Sequence, residues 1–206
     1  MKTYIEKCLA GEHLSVDEAS GALSMIMTGQ ATDSQIAGLL IALRAKGETV
    51  DELVGFARTM REHAVHVHID DPDAIDMCGT GGDGLRTFNI STVSSFVVAG
   101  AGVTVAKHGN RSVSSQSGSA DVLMALGVNI QCPPETVQAC INRIGIGFFF
   151  APLFHPAMKF AAKPRTELGV RSIFNMVGPL TNPAGVKRQL IGVYQLRITS
   201  LLAGAL

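Results

Sequence analysis

The sequence lacks a net charge of either sign: 17 Lys and Arg residues balance 17 Asp and Glu residues, and the pI is near 7.0. That balance gives no whole-surface attraction for nucleic acid or an anionic membrane, although a local basic cluster can still bind a small anion. Charge is scarce altogether. Charged residues make up 17% of the chain and hydrophobic ones 47%, which excludes a disordered chain and implies a sizeable core. The four cysteines, Cys8, Cys78, Cys132 and Cys140, include no C-x-x-C pair. This argues against zinc or redox motifs and suits a reducing compartment. The first residues, MKTYIEKCLAGEH, carry charges where a secretion signal needs an apolar run. The longest nearly apolar run, 144–154, is too short to span a bilayer and contains Gly and Pro. These absences imply a cytoplasmic protein with no membrane partner. The 206 residues allow one large domain, or a small domain and a medium one.

What is present begins with helix punctuation. Ser15-Val-Asp-Glu18, Thr32-Asp-Ser-Gln35 and Thr49-Val-Asp-Glu52 each fit a capping box, in which hydroxyl and carboxyl or amide side chains satisfy each other's orphan backbone donors. Gly11, Gly29 and Gly47 precede these starts and can close helices in the left-handed conformation. Four helices follow, over about 2–10, 16–28, 33–46 and 50–64. Ile36, Leu39, Leu40 and Leu43 make one apolar stripe; Leu53, Phe56, Ala57 and Met60 make another. The stripes are expected to pack a core; the alternative is an outward dimer surface. His63, His66 and His68 fall where the last helix meets a linker and read as a solvated junction rather than a metal site.

From Asp70-Asp71-Pro72 the pattern changes to alternating strands and helices. Strand 74–77 is followed by helix 91–101, strand 103–106, helix 119–126, strand 127–130, helix 134–144, strand 146–150 and strand 189–194. Such alternation predicts an α/β layer with a mostly parallel sheet. The expected division is a helical N-terminal domain over 1–68 and an α/β domain over 69–206, with 165–185 free to pack on the helices. Ligands of such sheets bind at the carboxyl ends of the strands.

The chemistry concentrates between Asp76 and Ser119. Cys78-Gly-Thr-Gly-Gly-Asp-Gly84 is neither a dinucleotide fingerprint nor a P-loop, but its glycines let backbone amides approach an anion. A tight turn with no ligand is the plainer alternative. Asn89-Ile-Ser-Thr92 starts the next helix, where it either caps the helix or frames an anion site. Lys107-His-Gly-Asn-Arg111, with serines 112, 114, 115, 117 and 119, is a run of polar groups at a strand end with little reason to exist for packing. Arg165 alone reads as a surface charge, and 175–183 as an extended loop limited by Gly and Pro.

Taken together, GTGGDG, TFNIST, AKHGNRSVSSQSGSADVLMALGV, FAPLFHPAM, RTELGVRSIFN and GPLTNPAG resemble the anthranilate phosphoribosyltransferase family of tryptophan biosynthesis. The resemblance runs to about Tyr194. It implies a helical domain, an α/β domain and a homodimer through the helical part. It also implies a Mg²⁺-assisted reaction in which the anthranilate amine displaces pyrophosphate from phosphoribosyl pyrophosphate. By the resemblance, Gly79, Gly82, Asp83, Thr87, Asn89, Ile90, Ser91 and Thr92 line the phosphoribosyl pyrophosphate site. Lys107, His108, Gly109, Asn110, Arg111, Ser112, Val113, Ser114, Ser115 and Ser119 continue it. Ser91 would also be a Mg²⁺ ligand. Gly79, Asn110 and Arg165 would contact anthranilate, Arg165 through its carboxylate. Lys107, His108 and Arg165 are the catalytic candidates.

The sequence departs from this family in its length, since members run to well over three hundred residues, in its last stretch, 195–206, which is only loosely family-like, and in its metal ligands. The family's Mg²⁺-binding Asp-Glu pair has no counterpart, since Glu167 is the only acidic residue beyond Glu135. The expectation is weak activity, or none, for these 206 residues alone. Two other readings compete: a pyrimidine nucleoside phosphorylase-like enzyme, and a non-catalytic relative that binds nucleic acid. KHGNR and GPLTNPAG weigh against the first, and the neutral charge balance against the second.

Overall fold

A computed structural model describes residues 1–81, 88–111 and 117–206. The chain divides into two compact units, residues 1–64 with 155–181 and 196–206, and residues 65–154 with 182–195.

The first unit is helical. Helices α1 (Lys2–Leu9), α2 (Val16–Met27), α3 (Asp33–Lys46) and α4 (Val50–Glu62) start where the sequence places them. All three expected capping boxes form in full, at Ser15, Thr32 and Thr49. Gly11, Gly29 and Gly47 all have positive φ, as their helix-closing role requires. Both apolar stripes are buried, from Ile36 to Leu43 and from Leu53 to Met60. The Glu52 carboxylate does more than cap. Fully buried, it accepts from the Leu14 and Thr49 amides, both at 2.9 Å, and pairs with Lys46 at 2.7 Å. His66 and His68 beyond α4 belong to the other unit and are exposed, on either side of buried Val67.

The second unit carries the sheet. In it are β1 (Ile75–Gly79), α5 (Ile90–Gly100), β2 (Val105–Gly109), α6 (Ser119–Ala125), α7 (Pro134–Ile144), β3 (Ile146–Phe150) and the short α8 (Ala151–Phe154). The helical unit resumes with α9 (Lys159–Leu168) and α10 (Phe174–Val177). Strand β4 (Arg188–Gly192) returns to the sheet, and α11 (Leu196–Ala205) packs against α4. The four strands are all parallel, in the order β3-β2-β1-β4. The core of this unit gathers Val67, Ala106, Val137, Ile141, Phe149 and Phe154, with the Phe149 and Phe154 rings edge to face at 5.0 Å.

Two expectations fail. No strand forms at 127–130. Gly127, at φ 82°, instead closes α6: its amide bonds to Met124 and that of Val128 to Leu123. Those bonds leave the segment no ladder to join, and only Ile130 is buried. Nor is 175–183 extended. Asn175 Oδ1 accepts from the Ser172 amide at 3.0 Å and starts α10, and a 3₁₀ turn over Gly178–Leu180 follows. Burial of Phe174, Met176, Val177 and Leu180 outweighs the Gly-Pro signal. The sequence reading also did not place the short α8, α9, which runs through buried Pro164, or α11.

Candidate active site

In the sheet the chain steps from β1 to β2 to β3 in one direction and then crosses to place β4 on the other side of β1. The direction of winding therefore reverses between β1 and β4, and such a reversal opens a crevice at the carboxyl ends of the strands. Those ends are Gly79 and Gly192, which are paired in register. A Cβ at Gly79 would stand 3.2 Å from the Gly192 carbonyl oxygen, so the strand ends approach too closely for a side chain to fit without displacing backbone. Thr80 fastens the junction. Its amide donates to Gly192 O at 2.9 Å, and its hydroxyl accepts from the Tyr194 amide at 3.3 Å.

Helix α5 begins on this edge. Asn89 is its N-cap, but its side chain makes no cap bond; Nδ2 donates to Ser117 Oγ at 2.9 Å. The Thr92 hydroxyl donates to Ser119 Oγ at 3.0 Å. These hydroxyl and amide bonds tie the start of α5 to the start of α6. In the first turn of α5 the Ile90 amide already bonds to Phe88 O at 2.7 Å and the Thr92 amide to Asn89 O at 3.0 Å, so among the described residues the Ser91 amide is the one left for an anion. Ser91 sits half-buried in that turn, and its carbonyl accepts from Ser95 Oγ at 2.6 Å. Ile90 is exposed.

Lys107, His108 and Gly109 lie within β2 rather than in the loop beyond it. Lys107 and His108 are buried, and the Lys107 ammonium donates to the Met77 carbonyl on β1. Burial pushes the Lys107 pKa down, against the pull of Asp76 and Cys78. Burial likewise raises the Asp76 carboxyl, opposed by bonds from Asn182 and the His108 amide and by the Lys107 charge. Beyond the strand, Asn110 and Arg111 are exposed. Asn110 Oδ1 accepts from the Arg111 amide at 2.7 Å, and Arg111 Nη2 reaches Met124 Sδ at 3.4 Å.

The α/β unit thus brings together Gly79, Asn89 to Thr92, Lys107 to Arg111 and Ser119. Gly82, Asp83, Thr87, Ser112, Val113, Ser114 and Ser115 lie outside the described residues. Arg165 belongs to the helical unit, on α9. Its guanidinium lies 5.0 Å from the Phe174 ring centroid, and burial alone lowers its pKa. Among the described residues no carboxylate pairs with it. The sequence reading passed over Asp76, Thr80 and Asn182. A charged residue inside an otherwise apolar strand was the available signal for Asp76.

For a divalent cation the described residues offer the Ser91 hydroxyl and no cluster of three or more His, Cys, Asp or Glu. One neutral oxygen does not hold a hard cation by itself, so any metal here depends on ligand oxygens for most of its shell. Among the described residues no helix is long and apolar enough to cross a membrane.

Comparisons with known proteins agree with this geometry. The helical bundle domain of a glycosyl transferase family matches residues 2–64, and the a/b domain of that family matches residues 71–206. The anthranilate phosphoribosyltransferase of Moorella thermoacetica is 57% identical over 206 residues, which cover 100% of this chain and 61% of that protein. That of Bacillus caldotenax is 53% identical over 206 residues, covering 100% of this chain and 85% of the relative. The crystal structure of the Thermus thermophilus anthranilate phosphoribosyltransferase superposes with a TM-score of 0.92 at 45% identity, covering 98% of this chain and 61% of that one. The Saccharomyces cerevisiae enzyme, solved in complex with PRPP and Mg, gives 0.88 at 28% identity, covering 99% and 61%. The chain therefore spans about 60% of the length of several of its relatives. A helical bundle domain, an a/b domain whose strands end at paired Gly79 and Gly192 where the sheet order reverses, and this identity along the whole chain make it a member of the anthranilate phosphoribosyltransferase family.

Proposed function

We propose that the chain binds phosphoribosyl pyrophosphate at the carboxyl edge of its sheet and passes the phosphoribosyl group to the amine of anthranilate, releasing pyrophosphate, in tryptophan biosynthesis. The observation that carries this reading is the meeting of three anion-friendly features at one edge. These are the glycine end of β1 at Gly79 and Gly81, the first turn of α5, and the polar end of β2. In the reaction the amine nitrogen forms a bond to ribose C1, the C1–oxygen bond to pyrophosphate breaks, and the amine loses a proton. Negative charge grows on the departing pyrophosphate as C1 becomes cation-like. Fixed backbone amides and the Lys107 charge stabilise that leaving group. Lys107 acts from inside the sheet, because its ammonium is already bonded to Met77 O. Asn110 and Gly79 border the acceptor, and His108 lines the same edge.

Arg165 takes the anthranilate carboxylate. A guanidinium fork suits a planar carboxylate, and this one has an aromatic face beneath it and no protein carboxylate of its own among the described residues. Mg²⁺ would neutralise the pyrophosphate, with the Ser91 hydroxyl contributing one oxygen. The setting is the cytoplasm, and the protein is a homodimer. Titration calorimetry with phosphoribosyl pyrophosphate, with and without Mg²⁺, tests the reading. Saturable one-site binding supports it, and a flat titration in both buffers refutes it.

A further inference from the structure

Strands β1 and β2 pair as neighbours only at Ile75 and Val105. Past that point side chains replace backbone partners. Asp76 Oδ1 accepts from the His108 amide at 3.0 Å, and the Lys107 ammonium donates to the Met77 carbonyl. Other elements converge on the same fully buried carboxylate. Gln189 of β4 presents Nε2 at 3.5 Å from Oδ2, and the Cys78 thiol also bonds to Asp76. The Asn182 amide bonds to Asp76 as well, and its Nδ2 donates to the Ala106 carbonyl at 2.8 Å. Every one of these partners is a donor. A neutral carboxyl would turn its own proton toward a donor, so the arrangement favours the anion. A strand pair meant only for packing needs none of this, because two backbone ladders would close without buried charge. The side-chain seam lies directly below the strand ends that lead into the glycine turn and into Asn110.

We propose that Asp76 is the positioning residue of the ligand edge: it bridges the seam where β1 and β2 part, and its charge keeps the buried Lys107 ammonium protonated beneath the phosphate-binding turns. This rests on the reading that phosphoribosyl pyrophosphate binds at that edge. Asp76 touches no ligand; it acts through Lys107 and through the His108 amide. Among the described residues the titratable groups that act on Lys107 are Asp76 and Cys78, both on β1. The elements packed on the other sides of β2 bring none: α5 reads ISTVSSFVVAG and β3 reads IGFFF.

The test combines NMR with binding. In the wild-type protein at pH 7, ¹⁵Nζ of Lys107 should report an ammonium and ¹³Cγ of Asp76 a carboxylate; a neutral group at either position overturns the proposal without any variant. In Asp76→Asn the Lys107 titration midpoint should move to lower pH. Its dissociation constant for phosphoribosyl pyrophosphate should rise about tenfold, and the alkaline limit of binding should fall with the Lys107 midpoint. A purely structural role would weaken binding without moving that limit. Folded Asp76→Asn with wild-type affinity and an unmoved limit overturns the proposal. If the wild-type protein binds no phosphoribosyl pyrophosphate, the functional reading falls, while the two NMR titrations still decide whether Asp76 and Lys107 form the pair.

Discussion

Arg165 offers a perturbation in which binding and stability move apart. Its guanidinium has lost solvent to burial, with the Phe174 face at 5.0 Å as compensation. A desolvated cation–π contact contributes about 2 kcal/mol. Arg165 is half-buried, so the cost of desolvating its charge is partial and of the same order as that gain. Replacement by methionine keeps an apolar stem on Phe174 and removes both terms. Arg165→Met should therefore unfold within about 1 kcal/mol of wild type, or at higher denaturant. Anthranilate should respond in the opposite sense. A carboxylate held by charge-assisted bonds gains about 2–3 kcal/mol, so its dissociation constant should rise roughly 30- to 150-fold. Arg165→Lys keeps the charge without the fork and should fall between the two. Anthranilate fluorescence with saturating phosphoribosyl pyrophosphate gives the affinities, and urea unfolding gives the stabilities. An affinity change below about threefold would mean that Arg165 does not hold the carboxylate. Destabilisation above about 2 kcal/mol would mean that it is a structural residue.

Three further outcomes follow from the same structure. Glu52→Gln strips the charge from a buried carboxylate bonded to two amides and Lys46, and should cost about 3–5 kcal/mol, lowering Tm by roughly 2–4 °C per kcal/mol; an unfolding curve close to wild type would refute the count of partners. Gly79→Ala puts a Cβ 3.2 Å from Gly192 O, so calorimetry should show weaker phosphoribosyl pyrophosphate binding and unfolding should show a loss of about 1–3 kcal/mol. Unchanged binding would place the ligand elsewhere. Burial raises the thiol pKa values of Cys8 and Cys78, so less thiolate is present at pH 8 and both should alkylate after half-buried Cys132 and Cys140 in the native protein. Peptide mass spectrometry reads the order, and Cys78 reacting first would contradict the burial of β1.

Much of the helical unit was legible because its signals are local. A capping box spans four residues, and an apolar stripe repeats within one helix, so Ser15, Thr32, Thr49 and the Ile36–Leu43 stripe could be read without knowing any partner. The two failures differ in kind. At 127–128 a local helix stop won, because positive-φ Gly127 returns the amides of 127 and 128 to Met124 and Leu123; at 174–180 the burial of Phe174 and Leu180 made helical turns out of a Gly-Pro loop.

The candidate site divides in the same way. Residue identity and spacing alone determined that a glycine turn, an Asn-Ile-Ser-Thr helix start and a Lys-His-Gly-Asn-Arg strand end would lie near one another, because each follows or begins an element of an alternating α/β chain. Only the tertiary structure decided what those side chains do. Asn89 turned from capping to Ser117, Lys107 went into the sheet to meet Met77, and Asp76, placed by sequence in an apolar strand, became the acceptor for four donors from three strands and the turn at Asn182. The physical reason is that local sequence fixes backbone propensity over a few residues. A buried polar group must be satisfied by whatever distant segments the sheet order brings beside it.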